Sequence, residues 1–305
     1  MRLSLALVLL AALPTACAAP SAPVATAPTR EAPLSYPPSV RERVLRFALA
    51  EWEEWGRITV EPGQRRLHAS AGGGPESSLD AFPRVLAYWR AVDDASGVIE
   101  RNRGRFVAAL GGAGGGTWGE PAWSAAFVSW VMRSAGVDRR EFAGSAAHAF
   151  YLDAMLADAR DFPATAPFVP HGWTERAPEP GDLVCADRSR RPLALWQDRL
   201  SEAGRFRPMH CDIVVRSGPG LVEAVGGNVA DAVTMVRYAA DGTGRLLPRP
   251  AGEPTLFAVF ENRLGRLPPF PAYAPATAPL VAVPQVSELE GDRAISLAAS
   301  GVPGR

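Results

Sequence analysis

Residues 120–131 read Glu120-Pro121-Ala122-Trp123-Ser124-Ala125-Ala126-Phe127-Val128-Ser129-Trp130-Val131. This stretch decides how the chain folds, because a Gly-rich run opens directly into an apolar helix with a small hydroxyl side chain at its entrance. The apolar spacing predicts that the helix runs to Ser134 or Ala135 and stops at Gly136. A nucleophile at such an entrance lies where unsatisfied backbone N–H groups and the helix dipole favour negative charge. An attacking oxyanion and a tetrahedral intermediate would both gain from that position. The preceding run, Gly111 to Gly116, lacks the Gly-Lys-Ser/Thr ending of a phosphate loop. It reads instead as a flexible approach that lets backbone pass close to a substrate.

Working outward, helices come before this segment and strands after it. Ser39 caps a first helix that carries Val40, Val44, Leu45, Ala48, Trp52 and Trp55 on one stripe and ends at Gly56. The two tryptophans share the aliphatic stripe, so they belong to the core. After a polar stretch from Glu61 to Ser78, amphipathic runs follow at 82–92 and 102–110, and a helix at 142–155 contains His148. The Pro-rich segment 162–170 reads as a loop. Strands are expected at Leu183–Cys185, Met209–Val215, Leu221–Val225 and Leu256–Glu261. Helices, then a nucleophile, then a meandering sheet make an α+β chain.

The protein has 305 residues, of which 47% are apolar, enough for one core of roughly 200 residues. Acidic and basic residues balance at 32 each. That balance gives no long-range field toward nucleic acid or an anionic surface. All the basic residues are arginine, which carries no functional weight here. The start, Met1-Arg2 and then apolar Leu3 to Leu13, has the form of a secretory signal too short to span a bilayer permanently. Pro14-Thr15-Ala16-Cys17 resembles the lipobox before a lipidated cysteine, with Pro14 where leucine is usual. The alternative is ordinary cleavage at a small-x-small site across Ala16-Cys17-Ala18. The organisation expected is a signal peptide over 1–17, an unfolded Pro/Ala-rich tether over 18–38, one domain over 39–267 and a disordered tail over 268–305. Ala18 after the cysteine points to an outer-membrane lipoprotein facing the periplasm.

Export leaves Cys185 and Cys211 as a candidate disulfide, the other reading being two buried thiols. On antiparallel neighbouring strands the two would oppose each other, with Cys211 turned away from the face of His210 and Asp212. No His-x-x-x-His or His-Glu-x-x-His spacing occurs, so neither a metal nor another cofactor is expected. His68 and His171 sit in polar loops and are given no role.

Taken together, the nucleophile segment and three landmarks after it carry a family resemblance. Pro121-Ala122-Trp123-Ser124-Ala125-Ala126-Phe127-Val128-Ser129-Trp130 is followed by Pro180-Gly181-Asp182-Leu183-Val184, then by His210 heading an Ile-Val-Val strand, then by Gly226-Gly227-Asn228. Over roughly 121–236 this order resembles the CHAP amidases and NlpC-type peptidases that cut bacterial cell-wall peptides. There the position of Ser124 is a cysteine. The chain looks like a member of the bacterial domain-of-unknown-function family 2272, a serine-bearing branch of that group. The resemblance implies a papain-like core with N-terminal helices on a small antiparallel sheet, Ser124 as nucleophile and His210 as base. Gly226 stands where those amidases carry glutamate, which leaves Asn228 as the orienter of His210, with Glu223 or Asp212 as substitutes. Trp123, His148 and Asp212 are then candidate substrate contacts, and the partner is a peptidoglycan peptide or another envelope component. A serine cannot be stored as a thiolate, so it needs a neutral histidine acting during attack. Two rival readings use the same cleft: a non-catalytic envelope lipoprotein that binds cell wall, and a serine esterase or acyltransferase.

Overall fold

Ser39 accepts a hydrogen bond from the backbone N–H of Glu42 at 3.2 Å and starts α1, Val40–Glu54. A computed structural model describes residues 39–61, 75–112 and 116–265, all in one unit that begins at Ser39. The signal and Cys17, the tether, His68 and the tail over 268–305 lie outside the described residues. After α1 come β1 (Thr59–Val60), α2 (Phe82–Trp89), α3 (Val98–Leu110), α4 (Ser124–Ser134) and α5 (His148–Asp161). The strands β2 (Phe168–His171), β3 (Leu183–Asp187), β4 (Met209–Gly218), β5 (Leu221–Val229), β6 (Ala232–Ala239) and β7 (Thr255–Asn262) complete an α+β fold.

The seven strands form one sheet in the order β1-β6-β5-β4-β3-β7-β2. Every pairing is antiparallel except β1 with β6, so the sheet is mixed rather than purely antiparallel. The parallel pair arises because the chain leaves α1 and lays Thr59 beside Met235. Both faces of the centre are covered. Leu183, Cys185, Cys211, Ile213, Val225 and Phe257 pack with the helices, while Val184, Ala186, Val214, Val222, Ala224, Val236 and Tyr238 form a second core on the other face. This explains why β3 is buried at all five of its positions instead of alternating.

Helix α4 is apolar nearly all round, as a buried helix must be. Ala125, Ala126, Phe127, Val128, Val131 and Met132 are each at most 2% exposed. Burial of each larger side chain contributes about 1.5–3 kcal/mol. Against its flank stands an aromatic group in which Trp123 stacks on Trp55 at 5.3 Å and Tyr88 meets Phe127 edge-on at 5.3 Å. The Pro-Gly-Asp turn has a structural duty. Asp182 accepts hydrogen bonds from the N–H groups of Glu179 and Asn262 and draws in Arg41 and Arg176, which anchors the start of β3 to the end of β7.

Two expectations change. The helix expected over 142–155 begins only at His148 and continues to Asp161. Its intended first turn is pulled extended, because the Ser145 N–H donates to Ser129 Oγ on α4 at 3.1 Å while that hydroxyl donates to the Ala125 carbonyl at 2.8 Å. Residues 168–171, read as loop, form strand β2. Pro170 is tolerated there because β2 lies at the sheet edge. Strand β6 carries no glycine-marked hairpin signal. The turn before it places Asn228, Ala230 and Asp231 in the left-handed region, at φ 56°, 52° and 57°.

Candidate active site

Ser124 is the first residue of α4, and no side chain caps that helix. The N–H groups of its first turn are therefore not taken up by a capping oxygen. The Ser124 hydroxyl lies 2.6 Å from His148 Nε2, and both residues are buried, at 6% and 5% exposed. His148 comes to this point because its approach, Gly144-Ser145, is tied to Ser129, just over one helical turn beyond Ser124. A side chain at Gly144 would approach Ser129 Cβ at 3.1 Å, so glycine permits the close approach.

The other ring nitrogen of His148, Nδ1, is hydrogen-bonded to the Tyr151 hydroxyl three residues along the same helix. With the ring proton on Nδ1 and donated to Tyr151, Nε2 is left to accept the serine proton. Burial holds the imidazole well below the usual histidine range, and the neighbouring His210 pushes the same way. His148 is thus neutral at pH 7, as a general base for a serine requires. Burial also keeps the Tyr151 hydroxyl protonated by pushing its pKa well up.

His210 is the second histidine of the site, with its ring centroid 5.2 Å from that of His148. Its Nε2 faces Asp212 Oδ1 at 2.7 Å, and the other Asp212 oxygen accepts the Tyr238 hydroxyl. Asp212 is fully buried. The double glycine that follows makes room on both sides of β5. A Cβ on Gly226 would fall 1.8 Å from Asp212 Oδ1 and 3.0 Å from His210 Nε2, and one on Gly227 would fall 2.5 Å from Phe127 Cβ.

Several assignments made from the sequence need correction. The histidine on Ser124 is His148, not His210, because the tie to Ser129 draws the start of α5 onto the start of α4. Asn228 does not orient His210. The register shift after Gly226 and the left-handed backbone at Asn228 turn its amide toward Glu76 Oε2, 2.8 Å away. Asp212, expected at the substrate, is fully buried and hydrogen-bonded to His210. Trp123 is also fully buried, with its indole N–H 2.6 Å from that same Glu76 oxygen. Cys185 and Cys211 sit opposite each other in the β3–β4 register and are joined by a disulfide on the helix side of the sheet. Glu223 pairs with Arg237 and Arg216, and His171 pairs with Glu261.

Sequence reasoning missed Glu76, Tyr151 and Tyr238. Only Tyr151 left a signal, standing three residues after a histidine on one helix face. Glu76 lies partly buried between Trp123 and Asn228, and desolvation raises its pKa to about 7 against the lowering by those two donors. Among the described residues no cluster of His, Cys, Asp and Glu could hold a metal.

A buried serine–histidine pair at a helix entrance, backed by a second histidine on a carboxylate, is a site suited to nucleophilic acyl chemistry. Residues 76–263, more than half of the chain, match the bacterial family described as "Uncharacterized protein conserved in bacteria (DUF2272)", and the protein belongs to that family. No curated protein and no solved structure matches the chain.

Proposed function

We propose that the protein is a serine-nucleophile hydrolase of the bacterial envelope, an amidase or endopeptidase acting on cell-wall peptides. The observation that carries the chemical half of this reading is the 2.6 Å contact between Ser124 Oγ and the neutral His148. The substrate half rests on the resemblance of the Ser124, Pro180-Gly181-Asp182, His210 and Gly226-Gly227 landmarks to the CHAP and NlpC-type enzymes, and with it goes a papain-like core. Export and a lipid anchor at Cys17 belong to the same proposal and would put the domain beside that substrate.

In the reaction, Ser124 Oγ attacks the amide carbonyl carbon while its proton passes to His148 Nε2. The carbonyl oxygen becomes an oxyanion at the open first turn of α4. Collapse breaks the C–N bond, and the leaving amine takes the proton from His148. The resulting Ser124 ester is then attacked by water, whose proton goes to His148 and on to Ser124 as the ester C–O bond breaks. Positive charge on His148 exists only between these transfers, and the carboxylate of Asp212 favours it.

Labelling by a fluorophosphonate probe, followed by peptide mapping, tests the reading. Wild-type protein should carry the label on Ser124, and His148→Gln should slow labelling by about 100-fold or more. Release of new amino termini from cell-wall fragments would extend the assignment to amide bonds. An unlabelled wild-type protein would refute the hydrolase and leave the cleft as a binding site.

A further inference from the structure

Beyond β3, residues 187–191 read Asp187-Arg188-Ser189-Arg190-Arg191. This turn is held on a fixed frame. Asp187 is 1% exposed and spends its carboxylate inside the turn, accepting from the N–H groups of Ser189 and Leu193, each at 2.8 Å, and from Arg207 at 2.7 Å. The return of the excursion is pinned as well, since buried Arg199 grips Asp153 of α5 with two hydrogen bonds of 2.8 Å. Arg188, Arg190 and Arg191 of this turn are exposed.

Of these three, Arg188 is placed on the sheet face that carries His210. Ala186 pairs with His210 across β3–β4, and the Arg188 N–H continues the ladder to the Pro208 carbonyl at 2.8 Å. Side chains alternate along a strand, so Arg188 leaves the same face as Ala186 and His210, one step further out. The opposite face takes Cys185 and the Asp187 carboxylate that bonds Leu193. Its charge reaches the site, because the Arg188 guanidinium is among the groups that disfavour a proton on His148. A planar guanidinium on a rigid turn beside a nucleophile matches a carboxylate in shape and charge.

We propose that Arg188 is the specificity residue of the site and engages a free carboxylate that the substrate carries within about one residue of the bond under attack. The inference rests on the hydrolase reading for the word substrate, and it names the substrate class as an acidic peptide. A carboxylate bound there would also offset the positive charge of Arg188 at the moment His148 takes up a proton, so recognition and catalysis would favour the same ligand.

Calorimetric binding of acetyl-D-alanyl-D-alanine and of its C-terminal amide to the full-length Ser124→Ala protein separates this proposal from the hydrolase reading. The free acid should bind about tenfold tighter than the amide. Arg188→Ala should erase that ratio, Arg188→Lys should retain part of it, and Arg190→Ala with Arg191→Ala should leave it standing. Equal binding of acid and amide, no binding of the acid, or an acid preference that survives Arg188→Ala would overturn the proposal. Fluorophosphonate labelling without an acid preference would sink this inference alone. An acid preference that depends on Arg188 in a protein that never labels would sink the hydrolase alone.

Discussion

Replacing Glu76 by glutamine should remove a pH-dependent weakness that the native sequence builds in beside the nucleophile. Glu76 Oε2 accepts from both Trp123 Nε1 and Asn228 Nδ2, and its backbone N–H donates to the Asp231 carbonyl at 2.9 Å. Burial outweighs the two donors, and the Asp231 charge adds to it, so the carboxyl titrates near 7 instead of 4.5. The folded state therefore holds its proton where the unfolded chain has lost it. Stability from this group is complete below about pH 4.5 and declines as pH rises through 7, where the buried charge must be accommodated. The full shift corresponds to about 3 kcal/mol, and screening at a partly exposed side chain reduces it to about 1–2 kcal/mol. Glutamine keeps an oxygen able to accept both hydrogen bonds and has no charge. At about 2–4 °C per kcal/mol for a domain of this size, Glu76→Gln should melt about 2–8 °C above wild type at pH 8 and close to it at pH 4.5. Scanning fluorimetry of both proteins from pH 4.5 to 8.5 measures the difference curve. Taking the difference matters, because buried neutral His148 acts with the opposite sign, its contribution being lost as pH falls through 6.5. A difference curve flat across this range would refute the reasoning, as would a melting point for Glu76→Gln below wild type at pH 8.

Two further outcomes follow from the packing. Gly226→Ala should cost about 1–3 kcal/mol and slow fluorophosphonate labelling, because its methyl would overlap Asp212 and displace the His210 ring that packs on His148; unchanged melting and labelling would show that β5 yields there. The double substitution of Cys185 and Cys211 by serine should lower stability by about 3–4 kcal/mol in the loop-entropy model for a separation of 26, while the folded fraction keeps reacting at Ser124, since neither sulfur bonds the Ser124–His148 pair and both point away from the sheet face of His210. Denaturant melts combined with labelling of each variant read both effects.

Much of the architecture follows from local pattern. The stripe of Val44, Ala48 and Trp55, the uninterrupted apolar run of α4 and the alternating or continuous runs of β3, β4, β5 and β7 each record which face an element buries, and burial is what residue type encodes. The position of Ser124 at a helix entrance is legible for the same reason, because a polar side chain between a glycine-rich loop and an apolar run marks the boundary. The pairing of functional groups is another matter. The sequence points to His210 as the base and to His148 as a substrate contact, and what puts His148 on the serine instead is a hydroxyl, Ser129, that lies on α4 itself and fastens the start of α5. Asn228 has the chemistry of an orienter, but a bulge and a left-handed backbone aim it at Glu76. Asp212 acquires its role from Tyr238, a residue distant in sequence on a strand with no clear turn signal before it. Sequence thus determined most of the helices and the central strands, the core and the nucleophile's place on a helix, but not strands β1, β2 and β6. Tertiary structure alone decided which base meets that nucleophile, because hydrogen bonds between side chains depend on distances of tenths of an ångström set by packing across elements, and no periodicity along the chain records them.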